Sequence, residues 1–152
     1  MGKIPAVRVD GSSDTGLGQD LAGPLVAVGA RPYDYTKSPA RALEVARGGA
    51  PGYSLTFSHS GPESLADSLA VLRAGGSVAV VGQGEEVPEE WMGFTVIDGD
   101  AHDARFLDRE LGAPAAGGFV VWLKLKTSGM SRAQRDKARR AGARSGFAAL
   151  AP

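Results

Sequence analysis

YSLTFSHSGPESLADSLAVLRAGGSVAVVG, residues 53–82, decides the fold class. In its first part Leu55 and Phe57 alternate with Ser54, Thr56 and Ser58, the period of a half-buried strand. Leu65, Leu69 and Leu72 then recur at i, i+4 and i+7, the stripe of an amphipathic helix over 62–74. Ser60 and Glu63 have the spacing of a capping box, and Gly75-Gly76 supplies the stop. Ser77–Gly82 is a second β-rich run. Strand, helix and strand in one short stretch make a βαβ unit, so the two strands are parallel neighbours.

The same punctuation extends outward. Further strands are expected at Ala6–Asp10, at Leu25–Gly29 leading into Tyr33–Thr36, at Phe94–Asp98 and at Phe119–Leu125. Ser38 is placed to cap a helix that has Pro39 at its first position and runs to about Arg47. A third helix is expected over His102–Glu110. The class is therefore α/β, a partial (β/α) barrel or an open, mainly parallel sheet with flanking helices, because the strands are too few for a closed barrel. The strand beginning near Ala6 is expected inside the sheet, parallel to at least two others. Residues 1–130 read as this domain. Residues 131–152 read as a basic C-terminal helix or arm, with a frayed end from Ala148 to Pro152.

The chain has 152 residues, with 17 basic and 17 acidic side chains and a formal net charge of zero. No global field steers it onto nucleic acid or membranes, so any such contact must come from a local patch. It has no cysteine, which excludes a disulfide, a thiolate zinc site, a cysteine-ligated cluster or a cysteine nucleophile within these residues. No stretch approaches the roughly 20 apolar residues of a membrane span, and the N-terminus lacks a signal-peptide run. A cytoplasmic, non-membrane protein is the expectation.

Strand alternation also sorts the polar residues. Arg8 and Asp10 oppose Val7 and Val9, Ser54, Thr56 and Ser58 oppose Leu55 and Phe57, and Trp122, Lys124 and Lys126 oppose Val121, Leu123 and Leu125. The polar sets together read as the lining of a cleft at the carboxyl ends of the strands, where Arg8, Asp10, Thr56, Ser58 and Asp98 are expected to converge. Candidate ligand-binding residues are Arg8, Asp10, Asp14, Asp34, Lys37 and Ser58, with a guanidinium and an ammonium suited to a phosphorylated or nucleotide-like ligand. Arg8 and Asp10 are equally compatible with a mutual or neighbouring ion pair buried within the cleft. Tyr33 and Tyr35 offer stacking surfaces, or simply core rings with a wet hydroxyl. Asp98 or Asp100, in Asp98-Gly99-Asp100-Ala101-His102-Asp103, suits a general base or a ligand for a hard cation such as Mg²⁺. The competing reading is a turn bent at Gly99 with Asp100 as a helix cap.

Other motifs exclude more than they suggest. Ser58 and His59 are adjacent on a strand and face opposite ways, which rules out a simple hydrolase pair. Gly82-Gln83-Gly84 is followed by Glu85-Glu86 and lacks a dinucleotide fingerprint. Two isolated histidines have no zinc spacing. Arg132, Arg135, Arg139 and Arg140 form a basic cluster able to contact phosphate backbones, or to be no more than a solvated face.

Several segments taken in order resemble an uncharacterised family of phage and plasmid proteins related to the gene-product-88-like phage proteins. They are Val7–Asp14, Tyr33–Lys37, Tyr53–Ser58, Gly76–Val81, Pro88–Trp91, Val96–Asp100 with Asp103 and Arg105–Asp108, and Ser145-Gly146-Phe147. The resemblance implies a partial α/β barrel with no assigned activity. Longer members carry a cysteine-bearing N-terminal segment reminiscent of metal-cluster enzymes, and this chain looks like the C-terminal portion. The Arg-rich stretch before Ser145 departs from the pattern. The functional expectation is a polar cleft that binds a small anionic ligand. A non-catalytic accessory protein contacting nucleic acid or a protein partner is the alternative; whether the chain is an enzyme, and with what cofactor, stays open. A homodimer or a separately encoded partner is expected to cover an open strand edge at Val7–Asp10 or Val120–Leu125.

Overall fold

Phe57, Val78, Val80, Val120 and Trp122 are buried on one face of a sheet, packed against Ala42, Val71 and Leu72 of two helices. Each such buried side chain contributes on the order of 1.5–3 kcal/mol, so this layer carries most of the fold's stability. The computed structural model describes residues 3–83, 86–125, 136, 140 and 148–150. The strands are β1 (Ala6–Val7), β2 (Arg31–Thr36), β3 (Ser54–Ser58), β4 (Ser77–Gln83), β5 (Glu90–Trp91), β6 (Phe94–Asp98), β7 (Phe119–Lys124) and β8 (Ala148–Leu150). The helices are α1 (Leu17–Asp20), α2 (Ala22–Ala27), α3 (Pro39–Ala46) and α4 (Leu65–Arg73), with single 3₁₀ turns at Pro62–Ser64 and Arg105–Leu107.

The sheet is open, in the order β1-β2-β3-β4-β7-β6-β5, with β8 also paired to β4. All pairings are parallel except the β5–β6 hairpin. The βαβ unit read from residues 53–82 is present as β3-α4-β4. Ser38 caps α3 as expected, its hydroxyl accepting the Arg41 N–H at 3.4 Å, with Pro39 in the first turn. At α4 the expected Ser60–Glu63 box is replaced by Ser64, whose Oγ accepts the Ser60 N–H at 2.9 Å.

Five expectations are corrected. The first strand is a two-residue edge strand, paired to β2 alone among the described residues. It ends at Val7 because the chain next bends around the Asp10 carboxylate, which gathers donors from Ser13, Thr15, Gly16 and Gly18. Residues 25–27 of the stretch expected as a strand belong to helix α2, which spans Ala22–Ala27; Pro24 lies in its first turn, where an N–H has no helical partner to lose. The expected helix over His102–Glu110 is only a 3₁₀ turn, because the Arg105 side chain donates to the Gly99 and His102 carbonyls and holds a loop shape. Trp122 belongs to the helix-side core, while Val121 and Leu123 pack on the opposite face with Ala79 and Phe119. Last, β7 lies between β4 and β6 and is no edge, and Ala148–Leu150 pairs with β4 instead of fraying.

The face away from α3 and α4 is covered by the segment between β6 and β7. Ala113 packs there on Ala79, Phe119 and Val121, with Tyr35, Ile97 and Leu123 alongside. Arg109 fastens this cover: its guanidinium donates to the Gly75, Pro114 and Gly117 carbonyls and lies 5.0 Å from the Phe119 ring centroid. Past the end of the cover, toward the carboxyl ends of β2, β3, β6 and β7, the described residues leave a hollow on the sheet face.

Candidate functional site

Parallel strands deliver their next residues to one edge of the sheet, and here that edge is concave. A cleft of about 660 Å³ is lined by Arg8, Tyr35, Ser58, Gly99, Asp100, His102, Asp103 and Leu123. A smaller recess of about 190 Å³ shares Arg8, Tyr35 and Ser58 with it and extends along residues 10–14 to Thr36 and Lys37. The guanidinium of Arg8 lies 4.9 Å from the Tyr35 ring centroid, a cation–π contact. It also reaches the exposed carboxylate of Asp103 at 3.7 Å. Arg8 therefore stands at the junction of the two hollows.

The structure separates the sequence candidates into lining and scaffold. Arg8 and Ser58 line both hollows, Asp100 the larger, and Asp10, Asp14 and Lys37 the smaller. Asp10 is only 3% exposed. Burial works against its charge, but hydrogen bonds from Thr15, Gly18, Gly16 and Ser13 outweigh it and hold the carboxyl below its ordinary value. Asp14 accepts from Thr36 Oγ1 at 2.8 Å and the Lys37 N–H at 2.7 Å. Arg41, from the first turn of α3, reaches both acids, bonding Asp14 and lying 3.6 Å from Asp10 Oδ2. Of the ion-pair alternatives it is therefore neighbouring pairs that form, Arg41 with Asp10 and Arg8 with Asp103, and the loop after β1 is tied to α3.

Asp34 lies outside the lining. It is wholly buried, with Oδ1 accepting the Asp10 N–H and Oδ2 the Tyr53 hydroxyl, each at 2.9 Å. Burial raises its pKa in spite of those bonds. Gly18 is required beside it, because a Cβ there would stand 2.1 Å from Asp34 Oδ2. Thr56 is buried and shares a hydrogen bond of 3.0 Å with Ser77 Oγ. Asp98 also stays out of the lining: Oδ1 accepts the Asp100 N–H at 2.9 Å and Oδ2 lies 3.4 Å from Lys124 Nζ. Asp100 in turn accepts the Lys124 N–H at 2.8 Å, so the two acids brace the ends of β6 and β7. Of the five residues expected to converge, the larger cleft holds Arg8 and Ser58.

Sequence reasoning left Asp103, Leu123 and a buried cluster out of the site. The first was visible in the Asp98–Asp103 turn, whereas Leu123 was hidden by the reversed facing of β7. Beneath the cleft, Arg105 and Asp108 are nearly fully buried, with Arg105 Nη1 3.7 Å and His102 Nε2 3.6 Å from Asp108 Oδ1. Burial pushes the Asp108 carboxyl up to about 6, against the pull of Arg105 and Arg109. Charged residues in a loop carry no sequence signal of such burial. Among the described residues no three His, Asp or Glu side chains gather as a metal site would require. Nor is any helix of the described residues long and apolar enough to cross a membrane. Arg132, Arg135 and Arg139 lie outside the described residues; Arg140 is exposed in a helical position.

The two hollows together present a guanidinium, an ammonium and a hydroxyl, from Arg8, Lys37 and Ser58, and carboxylates with an imidazole, from Asp100, Asp103 and His102. A family model described as Gene product 88 matches residues 6–145, and the chain belongs to that family. No curated protein and no solved structure gives a significant match.

Proposed function

We propose that this gene product 88 family member binds a small phosphorylated ligand at the carboxyl ends of its parallel strands. The observation that carries this reading is Arg8, set over Tyr35 and common to both hollows, with Ser58 beside it and Lys37 on the rim of the smaller one. A guanidinium oriented by an aromatic ring presents its fork without further ordering, and a phosphate or carboxylate accepts it in two bonds. The loop bearing Arg8 is held by the Asp10–Arg41–Asp14 knot, so the cation is positioned before a ligand arrives. Asp100 is the member of the Asp98–Asp100 pair that reaches the cleft, and it is the one assigned to the ligand's donor groups, or to proton transfer if the ligand reacts.

Calorimetric titration of the full chain with inorganic phosphate and phosphate monoesters at low salt tests this. Arg8→Ala is expected to weaken binding about tenfold or more, as loss of a charged hydrogen-bond donor costs about 1.5–3 kcal/mol, with an unchanged circular-dichroism spectrum. Equal affinity in the variant would remove Arg8 from the role.

A further inference from the structure

We infer, building on the ligand-binding reading above, that the cleft selects a phosphorylated polyol, a sugar phosphate, over a nucleotide whose base must stack. The first ground is aromatic. Two rings line the cleft among the described residues: Tyr35, with the Arg8 guanidinium over it at 4.9 Å, and His102, whose Nε2 is engaged 3.6 Å from Asp108 Oδ1. Tyr33, two residues earlier, is spent on Phe106, with centroids 5.7 Å apart at 58°. A base entering the cleft meets a cation where it would need an open ring face.

The second ground is the polarity of the charges. At the Arg8 and Lys37 end, the two nearby acids are neutralised internally: Asp10 accepts from four groups and Asp14 is bonded to Arg41. That leaves Lys37, and Arg8 once it parts from Asp103, for a ligand anion. The lining of the larger cleft also carries Asp100, bonded to the Lys124 N–H, and Asp103; their carboxylates repel a second phosphate and have lone pairs beyond those contacts to accept hydrogen bonds from hydroxyls. A ligand with an oxyanion at one end and hydroxyls along the rest matches both ends. A volume of about 660 Å³ holds such a molecule.

The third ground is the contact between Arg8 and Asp103 at 3.7 Å, which pairs the cation of the lining with one of its acids. Asp103 holds the place of the ligand's oxyanion. When phosphate takes Arg8, Asp103 is released to accept a sugar hydroxyl, so the exchange of partners links recognition of the two ends of the ligand.

The experiment is calorimetry of the full chain with three probes, inorganic phosphate, ribose 5-phosphate and adenosine monophosphate, repeated on Asp103→Asn. Ribose 5-phosphate is expected to bind at least about tenfold tighter than inorganic phosphate, and adenosine monophosphate no tighter than ribose 5-phosphate. In Asp103→Asn the advantage of the sugar over phosphate should shrink to about threefold or less, while phosphate itself binds as well or better. Equal binding of phosphate and ribose 5-phosphate, a clear gain from the adenine, or an unchanged sugar advantage in the variant overturns the polyol inference and leaves anion binding standing. Failure of all three probes to bind the folded wild-type chain overturns both.

Discussion

His59 shows how much one buried side chain commits. Its Nδ1 lies 3.0 Å from Ser68 Oγ and 3.1 Å from Ser64 Oγ. Both serine hydroxyls donate elsewhere, to the Gly61 and Ser64 carbonyls, so Nδ1 carries the proton in the neutral ring. Burial holds the imidazole pKa below its ordinary value. Its contribution to stability is therefore complete above about pH 6.5 and is lost as the pH falls, because the unfolded histidine takes up a proton that the folded one resists. Asp108 has the opposite sign: raised to about 6 in the folded state, it favours folding increasingly as the pH falls from there towards its ordinary value near 3.8. Urea unfolding at pH 7.5 and 5.5 should show the two effects partly cancelling in the wild-type chain. Asp108→Asn is expected to lose stability more steeply on acidification, and His59→Gln less steeply, each group acting by no more than about 1.4 kcal/mol per pH unit. Slopes that do not move in those directions would refute the assignment.

Between β4 and β7 the sheet contains a notch. A Cβ on Gly82 would stand 1.9 Å from Trp122 Cζ2, so glycine at this position is what lets the indole lie flat in the helix-side core. Alternation places the bulky residues of one strand on one face but does not say which face, and the run from Val120 to Leu123 is apolar on both. Only the neighbouring strand resolves it, through the space Gly82 leaves. Gly82→Ala is expected to destabilise the protein by about 1–3 kcal/mol, the usual cost of overpacking, and to shift the Trp122 emission to the red as the ring is displaced. A substitution that left both stability and emission unchanged would show that the notch has slack. The α3 cap was by contrast legible residue by residue, because Ser38-Pro39 acts through local backbone geometry alone.

At the scale of the whole molecule, the open sheet ends on one side in β1, two residues long, and on the other in β5. Exposed Ile4, Leu17, Leu21 and Val28 belong to the segments before β1 and between β1 and β2. An open edge with apolar neighbours favours pairing with another chain. Light scattering at micromolar concentration is therefore expected to give a dimer, and Val28→Asp, at a position 78% exposed, to weaken it; a monomeric mass in the wild-type chain would contradict this. The sequence by itself determined the α/β class, the parallel β3-α4-β4 unit, the α3 cap and the Arg8 and Ser58 ends of the cleft, since period, punctuation and capping act within a few residues. Tertiary structure alone decided that β1 is an edge, that β7 inserts between β4 and β6 with Trp122 turned to the helices, and that Arg105 and Asp108 are buried beneath the cleft. Those outcomes depend on which surfaces meet across the sheet, and such long-range contacts leave no trace in the spacing of neighbouring residues.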